Sequence, residues 1–220
     1  TLLIGLYLNV IHYILIAQNF PYTYSTPVPS SAGLSYPFAV AVDGAGNTFV
    51  TDSGNCIIRQ ITPTGSLITV AGSGSAGSQD GTGSAASFNS PEGIAVDRAG
   101  HIYVADTYSH TIRIIDKAGR VTTLAGTAGV QGGNDGSGAS ASFNYPTGID
   151  ISPDDTYALV VDRVNNTIRQ ILLSSSNVTL FVGSKTGASG TTNGIGTNVL
   201  FNNPIMITIS QNGDFALIAD

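Results

Sequence analysis

The chain has 220 residues, of which 42% are apolar and only 10% charged, with 8 Lys and Arg against 14 Asp and Glu. The apolar content excludes an intrinsically disordered chain. The net charge of −6 argues against a nucleic-acid partner, which would favour a basic face. Gly, Ser, Thr, Val and Ile dominate over helix-favouring residues, so we expect an all-β protein with long loops.

The N-terminal region carries no charged residue before Asp43. Residues 2–17 are mostly apolar, too few for a membrane helix, which needs roughly 20, but similar to the apolar part of a secretory signal. We predict a signal peptide in residues 1–18, with a membrane anchor through residues 2–17 or a buried strand or helix as alternatives. Residues 19–36 are rich in Pro, Ser and Tyr and are predicted to be a linker.

A repeat begins after this linker. Each copy opens with a proline that is followed by a short stretch rich in apolar residues. These prolines, 54, 55 and 58 residues apart, are Pro37, Pro91, Pro146 and Pro204. Tandem copies of this size are structural units, so the repeat decides the fold. The predicted units are residues 37–90, 91–145, 146–203 and an incomplete 204–220.

Each unit contains four short apolar stretches separated by turn residues. In the second unit they are residues 93–96, 102–105, 111–115 and 121–124. Glycines at positions 100 and 119 suit the tight turns between them, because Gly adopts positive φ at little cost. Four strands per tandem unit predict the antiparallel blade of a β-propeller, whereas solenoids have periods of about 20 to 30 residues.

The segments Ile102–Arg113 and Phe49–Arg59 share one frame and resemble the NHL-repeat family. The resemblance covers residues 37–220 and implies a propeller of about six four-stranded antiparallel blades. Three units and part of a fourth do not close a ring, and an open ring leaves strand edges unpaired. We therefore expect the propeller to be incomplete in this chain, with further blades beyond Asp220.

An Asp stands seven residues before an Arg in three units. The pairs are Asp52 with Arg59, Asp106 with Arg113 and Asp162 with Arg169. A ring of carboxylates for a metal or substrate is one interpretation. A structural ion pair is the other, and we favour it because catalysis needs one asymmetric constellation whereas these residues recur in every blade.

Glycine-rich loops between the units carry Asp80, Asp135 and Asn193, each followed by a phenylalanine, namely Phe88, Phe143 and Phe201. Phosphate-binding loops precede a helix, and no helix is expected here. A Ca²⁺ site needs several carboxylates, and each loop offers one at most. We therefore predict that the phenylalanines anchor these loops in the blade stack.

The repeat region has too few ligands for a catalytic zinc site, which needs three, often His. Its histidines are His101, expected in a turn or at a strand edge, and His110, expected as a surface contact. Cys56 is the single cysteine and cannot form an internal disulfide, so we expect a packed thiol. The sequence predicts no catalytic residue, metal ligand or cofactor.

The loops between blades and between second and third strands should emerge on one face of a propeller. That face carries our candidate binding residues Tyr108, His110, Tyr145 and Asn165. The tyrosines would offer contact area at low entropic cost. Asn165 and Asn177 also begin N-glycosylation triplets, which fit an exported chain.

These patterns predict a non-catalytic binding or scaffold module, secreted or at the cell surface, that recognises a protein or glycan through propeller loops. The alternative is a propeller enzyme, because some NHL-like propellers resemble lyases or lactonase-type hydrolases with channel metal ligands. Further blades would have to complete that site. RNA binding is disfavoured, since 8 Lys and Arg do not make a basic face.

Overall fold

The computed structural model describes residues 33–220. The predicted signal peptide or anchor (1–18) and nearly all of the linker (19–36) lie outside the described residues. The described part folds into sheets whose neighbouring strands run antiparallel, as the all-β expectation required. No helix in residues 33–220 is long and apolar enough to cross a membrane.

The sheets follow one another as propeller blades. Blade 1 contains β1 (Pro37–Val42), β2 (Thr48–Asp52), β3 (Ile57–Ile61) and β4 (Leu67–Ala71). Blade 2 contains β5 (Gly81–Thr82), β6 (Pro91–Val96), β7 (Ile102–Asp106), β8 (Thr111–Ile115) and β9 (Arg120–Ala125). Blade 3 contains β10 (Gly136–Ser137), β11 (Pro146–Ile151), β12 (Tyr157–Asp162), β13 (Thr167–Leu172) and β14 (Asn177–Gly183). The fourth sheet contains β15 (Met206–Ile209) and β16 (Ala216–Ala219).

The predicted turns of blade 2 are present. Gly100 and Gly119 have φ of +89° and +76°, and each donates its N–H to the carbonyl of an Asp three residues earlier. The four predicted strands of this blade lie where the apolar stretches placed them: β8 has the predicted bounds, and the other three are lengthened by one or two residues. Local sequence therefore determines the meander within a blade.

A short fifth strand was not expected. Gly81 pairs with Val121 and Gly136 with Val178, so β5 and β10 lie on the outermost strand of the blade that follows them. Each interblade loop thus runs along the outer edge of the next blade before entering at its inner strand. An uncovered outer strand would expose unpaired backbone groups. Strand β5 pairs with part of the outer strand of blade 2, and β10 does the same in blade 3.

The inner strands β1, β6, β11 and β15 lie side by side. A Cβ atom built on Gly93 would be 2.0 Å from the Thr147 carbonyl oxygen, and one on Gly148 would be 2.9 Å from that of Ile205. Such close backbone approach admits only glycine at these positions. The absence of side chains at these two glycines therefore allows the inner strands of neighbouring blades to approach closely.

Apolar clusters fill the space between successive blades. Phe88 and Phe143 are fully buried in these clusters, and Phe201 is nearly so. Phe88 forms a parallel bridge with Ala76, and Phe143 forms one with Gln131. The prediction that these phenylalanines anchor the interblade loops is confirmed.

Candidate functional site

The repeated seven-residue spacing of Asp and Arg produces a buried ion pair in blade 2. Arg113 donates from Nη1 to Asp106 Oδ2 at 3.1 Å, and both side chains are 0% exposed. Its Nη2 donates to Asp80 Oδ1 at 2.7 Å, and its guanidinium lies 5.4 Å from the centre of the Phe88 ring. The loop carboxylate, the blade arginine and the anchoring ring therefore form one unit.

Blade 3 repeats this unit. Arg169 binds Asp162 at 3.1 Å and Asp135 at 2.7 Å and lies 5.5 Å from the centre of the Phe143 ring. Burial raises the pKa of Asp162 to about 6, while a backbone N–H, an Asn amide and the arginine act to lower it. The carboxylate is thus ionised opposite its arginine at neutral pH, and the structural interpretation of the repeated Asp and Arg is confirmed for these blades.

The other reactive residue types are also accounted for within the fold. His101 Nδ1 lies 2.8 Å from Asp97 Oδ2 in the turn after β6, as expected of a turn residue. Cys56 is half-buried and ends the 3₁₀ turn after β2, with φ of +55°. Within residues 33–220, no three His, Cys, Asp or Glu side chains are grouped so as to hold a metal.

One end of the blades carries three 3₁₀ turns, at Ser53–Asn55, Thr107–Ser109 and Arg163–Asn165, which follow the second strand of each blade. The Tyr108 N–H donates to Asn89 O at 3.1 Å, so the turn lies against the incoming interblade loop. Tyr108 is 53% exposed, and its ring meets that of Tyr145 edge-on, with centroids 5.2 Å apart. Two of the predicted binding residues are thereby brought together between blades 2 and 3.

His110 differs from its prediction. It is only 4% exposed, because the loop carrying Gln131 covers it, so its ring does not provide the expected surface contact. Instead, Nδ1 accepts the Tyr145 N–H at 3.1 Å, and the imidazole packs perpendicular to the Tyr145 ring at 4.6 Å. Burial lowers the pKa of His110. The neutral histidine therefore fixes Tyr145 by accepting its backbone N–H and by packing against its ring.

Asn165 is not joined to this pair. Its Nδ2 donates to Gly132 O at 2.7 Å and to Asp162 Oδ2 at 2.8 Å. Asn55 makes the same two kinds of bond in blade 1, to Gly33 O and Asp52 Oδ2. Both amide hydrogens thus serve the fold, which removes Asn165 from our binding residues and disfavours it as a glycan acceptor. Asn177 begins β14, the outer long strand of blade 3.

The sequence analysis missed Glu92, the second residue of β6. Its side chain is half-buried, and Oε2 is buried without a hydrogen-bond partner in the described part of the chain. Burial raises the pKa of Glu92 to about 7, opposed by the charge of Arg163. Arg163 is itself held by Asn203, whose Oδ1 accepts from Nε at 3.1 Å.

The sequence feature that distinguishes Glu92 is its departure from the residues at the equivalent position of the other repeat units. Glu92 is the single Glu of the chain, and the equivalent residues of the other units are Phe38, Thr147 and Ile205.

Two contacts at the start of β11 connect blades 2 and 3. Thr107 Oγ1 donates to Pro146 O at 2.8 Å, which sets the Tyr108 turn against β11. Gly93, next to Glu92, lies against Thr147 of the same strand. We call Tyr108 and Tyr145 the seam site, because their rings meet where β11 begins, between blades 2 and 3.

A second concavity, a cleft of about 610 Å³, opens between blades 1 and 2 at the opposite end. Three of its charged groups are bonded to neighbours: Asp43 to Asn47, Asp97 to His101, and Arg98 to Asp155. The seam site is the stronger candidate, because it presents an exposed aromatic ring, that of Tyr108.

Comparison with known proteins places the fold in the β-propeller class. A solved protein of unknown function from Bacteroides thetaiotaomicron matches with a TM-score of 0.74 at 17% identity, over 90% of this chain and 48% of its own. An auxiliary nutrient binding protein from Bacteroides ovatus matches with a TM-score of 0.66 at 20% identity, over 84% of this chain and 45% of its own.

The NHL repeat family model matches residues 88–115 of this chain. NHL repeat-containing protein 2 of Gallus gallus is 37% identical over 110 residues, which are 50% of this chain and 15% of that protein. The expected resemblance to NHL-repeat propellers is confirmed. The chain spans a small part of this relative and about half of each solved chain.

Proposed function

We propose that this chain is a non-catalytic binding module that recognises a protein or glycan ligand through the seam site. The observation that carries the proposal is the pair formed by the exposed Tyr108 and the half-buried Tyr145, held edge-on at 5.2 Å. Perpendicular aromatic pairs are a favoured arrangement, and rings with few rotatable bonds bind at low entropic cost. The structural neighbour described as a nutrient binding protein supports a ligand-binding role.

The rigidity of the pair adds to this argument. Tyr145 has φ of +55°, a conformation that costs energy for a non-glycine residue, and the His110 bond to its N–H holds it there. Val164, 47% exposed in the neighbouring 3₁₀ turn, extends the apolar surface. An ordered, exposed aromatic surface is suited to contact a partner.

A truncation of the tyrosine tests the proposal. Glycan arrays and a panel of purified extracellular protein domains would be probed with the full chain to identify ligands. For a ligand so found, Tyr108→Ala should weaken binding at least tenfold, about 1.4 kcal/mol, because it removes half of the aromatic pair.

The matched control is Phe181→Ala, since Phe181 is a similarly exposed aromatic on β14, away from the seam. It should leave affinity unchanged, with circular dichroism verifying that both variants are folded. Equal affinity of wild type and Tyr108→Ala for every ligand found would overturn the proposal.

The same proposal places the module outside the cell, with residues 1–18 acting as a signal peptide or membrane anchor. Expression in a eukaryotic secretory host should then deliver the chain to the medium or the cell surface with a glycan on Asn177. Asn177→Gln should reduce the mass by one glycan, whereas Asn165→Gln should not change it. Retention of an unglycosylated chain in the cytosol would contradict export.

A further inference from the structure

The loop between blade 3 and the fourth sheet carries an Asn-Gly pair, Asn193 and Gly194. At the same place of the repeat, the two earlier interblade loops carry Asp-Gly pairs, which begin at Asp80 and Asp135. In blades 2 and 3 an arginine binds that carboxylate at 2.7 Å. The third loop therefore carries the neutral amide of the acid that the first two loops use.

The Asn193 side chain is available for reaction. Residues 191–194 lie outside every strand and 3₁₀ turn, and Asn193 is exposed. Within residues 33–220 its amide makes no hydrogen bond. This exposure does not require an open blade edge, because the equivalent side chains of Asp80 and Asp135 stay 51% and 54% exposed although a blade follows their loops and binds them.

Gly194 supplies the second group that a reaction of the amide needs. The backbone nitrogen of the residue after an asparagine can attack the side-chain carbonyl carbon, and a side chain on that residue hinders the approach. Glycine has no Cβ and leaves the path open. Gly194 is exposed, and its N–H donates to no group in the described part of the chain. The amide and the attacking nitrogen are thus both unrestrained.

The chain contains a second Asn-Gly pair, Asn212 and Gly213, in which both groups are held. The Gly213 N–H donates to Ser210 O at 2.9 Å in the turn before β16. The Asn212 amide donates to Asp214 Oδ2, and its Oδ1 accepts the Asp214 N–H at 3.4 Å. These hydrogen bonds must break before the glycine nitrogen can reach the amide.

We propose that Asn193 is a modification site at which the side-chain amide is converted to a carboxylate without an enzyme. The Gly194 nitrogen bonds to Cγ of Asn193, the bond between Cγ and Nδ2 breaks, and the displaced amide group leaves as ammonia with the Gly194 proton. Water then opens the resulting succinimide at one of its two carbonyls, which gives aspartate or isoaspartate. Solvent water is the co-reactant, and no electrons are transferred.

The conversion changes the charge and the chemistry of the third loop. It replaces a neutral amide by an anion and so adds one negative charge to a chain whose net charge is −6. The aspartate product has the carboxylate that Asp80 and Asp135 supply in the other two loops, whereas isoaspartate lengthens the backbone by one methylene group. The seam site has no part in this reaction, so the proposal is independent of the proposed function.

The test is incubation of the full chain at pH 8, followed by proteolytic digestion and mass spectrometry of the peptides that contain Asn193 or Asn212. We expect Asn193 to gain the mass of amide-to-acid conversion at least about tenfold faster than Asn212, because the hydrogen bonds of the second pair raise its barrier. Comparable rates at the two sites, or no conversion of Asn193, would overturn the proposal.

A variant of the glycine tests the attacking atom. Gly194→Ala should slow the conversion of Asn193 several-fold, because the added Cβ hinders ring closure, and should leave the rate at Asn212 unchanged. Gly44→Ala is the matched control, since a Cβ there meets nothing within 4 Å, and both rates should stay as in the wild type. Circular dichroism verifies that the variants are folded. An unchanged rate at Asn193 in a folded Gly194→Ala chain would show that the Gly194 nitrogen does not attack, and the proposal would fail.

Discussion

At the scale of the residue, one backbone position explains several side chains. The residue after each of the 3₁₀ turns that follow the second strands has positive φ: Cys56 at +55°, His110 at +59° and Asn166 at +53°. In blades 2 and 3 its side chain accepts the N–H of the residue before the next blade's proline, from Tyr145 to His110 and from Asn203 to Asn166. His110 and Asn166 thus accept equivalent hydrogen bonds, but only the histidine can be protonated and lose its acceptor atom.

This comparison predicts a pH effect on stability. His110 must be neutral at Nδ1 to accept the Tyr145 N–H, and burial lowers its pKa below that of the unfolded chain. The unfolded state therefore binds the proton more readily, so this contribution to stability is complete above about pH 6.5 and is lost as the pH falls through that value.

His110→Asn should keep the bond, tolerate the positive φ and remove the titration. Urea unfolding of wild type and variant at several pH values between 5 and 8 measures the effect. The difference in free energy of unfolding should shift in favour of the variant as the pH falls below 6.5. A difference that is independent of pH would show that His110 does not couple to folding.

At the scale of the element, the interblade loop is attached to the next blade by its arginine. Arg169 joins β13 to Asp162 at the end of β12 and to Asp135 in the loop, both within 3.1 Å. A buried pair broken on one side leaves an uncompensated charge, which costs about 3 to 5 kcal/mol. The attachment of the loop to the blade should therefore depend on the ion pairs of Arg169.

We expect Arg169→Gln to destabilise the chain by about 3 kcal/mol, because Asp162 is left buried without its cation. Arg98→Ala is the matched control, since the Arg98 side chain is 69% exposed in its pair with Asp155. It should cost less than about 1 kcal/mol, as surface ion pairs do. Chemical denaturation measures both values, and equal costs would refute a special role for the buried arginine.

At the scale of the whole molecule, the distance between blades is set at their inner strands. Gly93 approaches Thr147 so closely that a methyl group has no room, and Thr107 bonds to the Pro146 carbonyl across the same interface. The seam site depends on this spacing, because its residues come from both blades.

Gly93→Ala should therefore force blades 2 and 3 apart, with a loss of about 2 kcal/mol or more from overpacking and a changed Tyr108 to Tyr145 contact. Gly44→Ala is the control, because a Cβ there meets nothing within 4 Å. Thermal unfolding and the NMR ring signals report the two effects. A Gly93 variant that is as stable as the Gly44 variant would contradict the inner-strand argument.

Much of the fold could be predicted because its signals are local. Alternation of apolar residues marked β6 to β9, and turn glycines such as Gly100 marked their connections. The candidate site was predicted in part: Tyr108 and Tyr145 lie together, but His110 is buried and Asn165 is bonded within the fold. Glu92 was missed because nothing in its immediate sequence signals a neighbour such as Arg163, 71 residues later.

The repeat, the strands of each blade and the rings that anchor the loops could be inferred from local sequence, because they depend on side-chain alternation and on residues suited to turns. Packing between blades sets which blade a loop covers, which histidine is buried and where a carboxylate oxygen is left without a hydrogen-bond donor in the described part of the chain. Those outcomes depend on groups more than 20 residues apart, such as His110 and Tyr145, whose approach is set by the packing of whole blades rather than by local chain geometry.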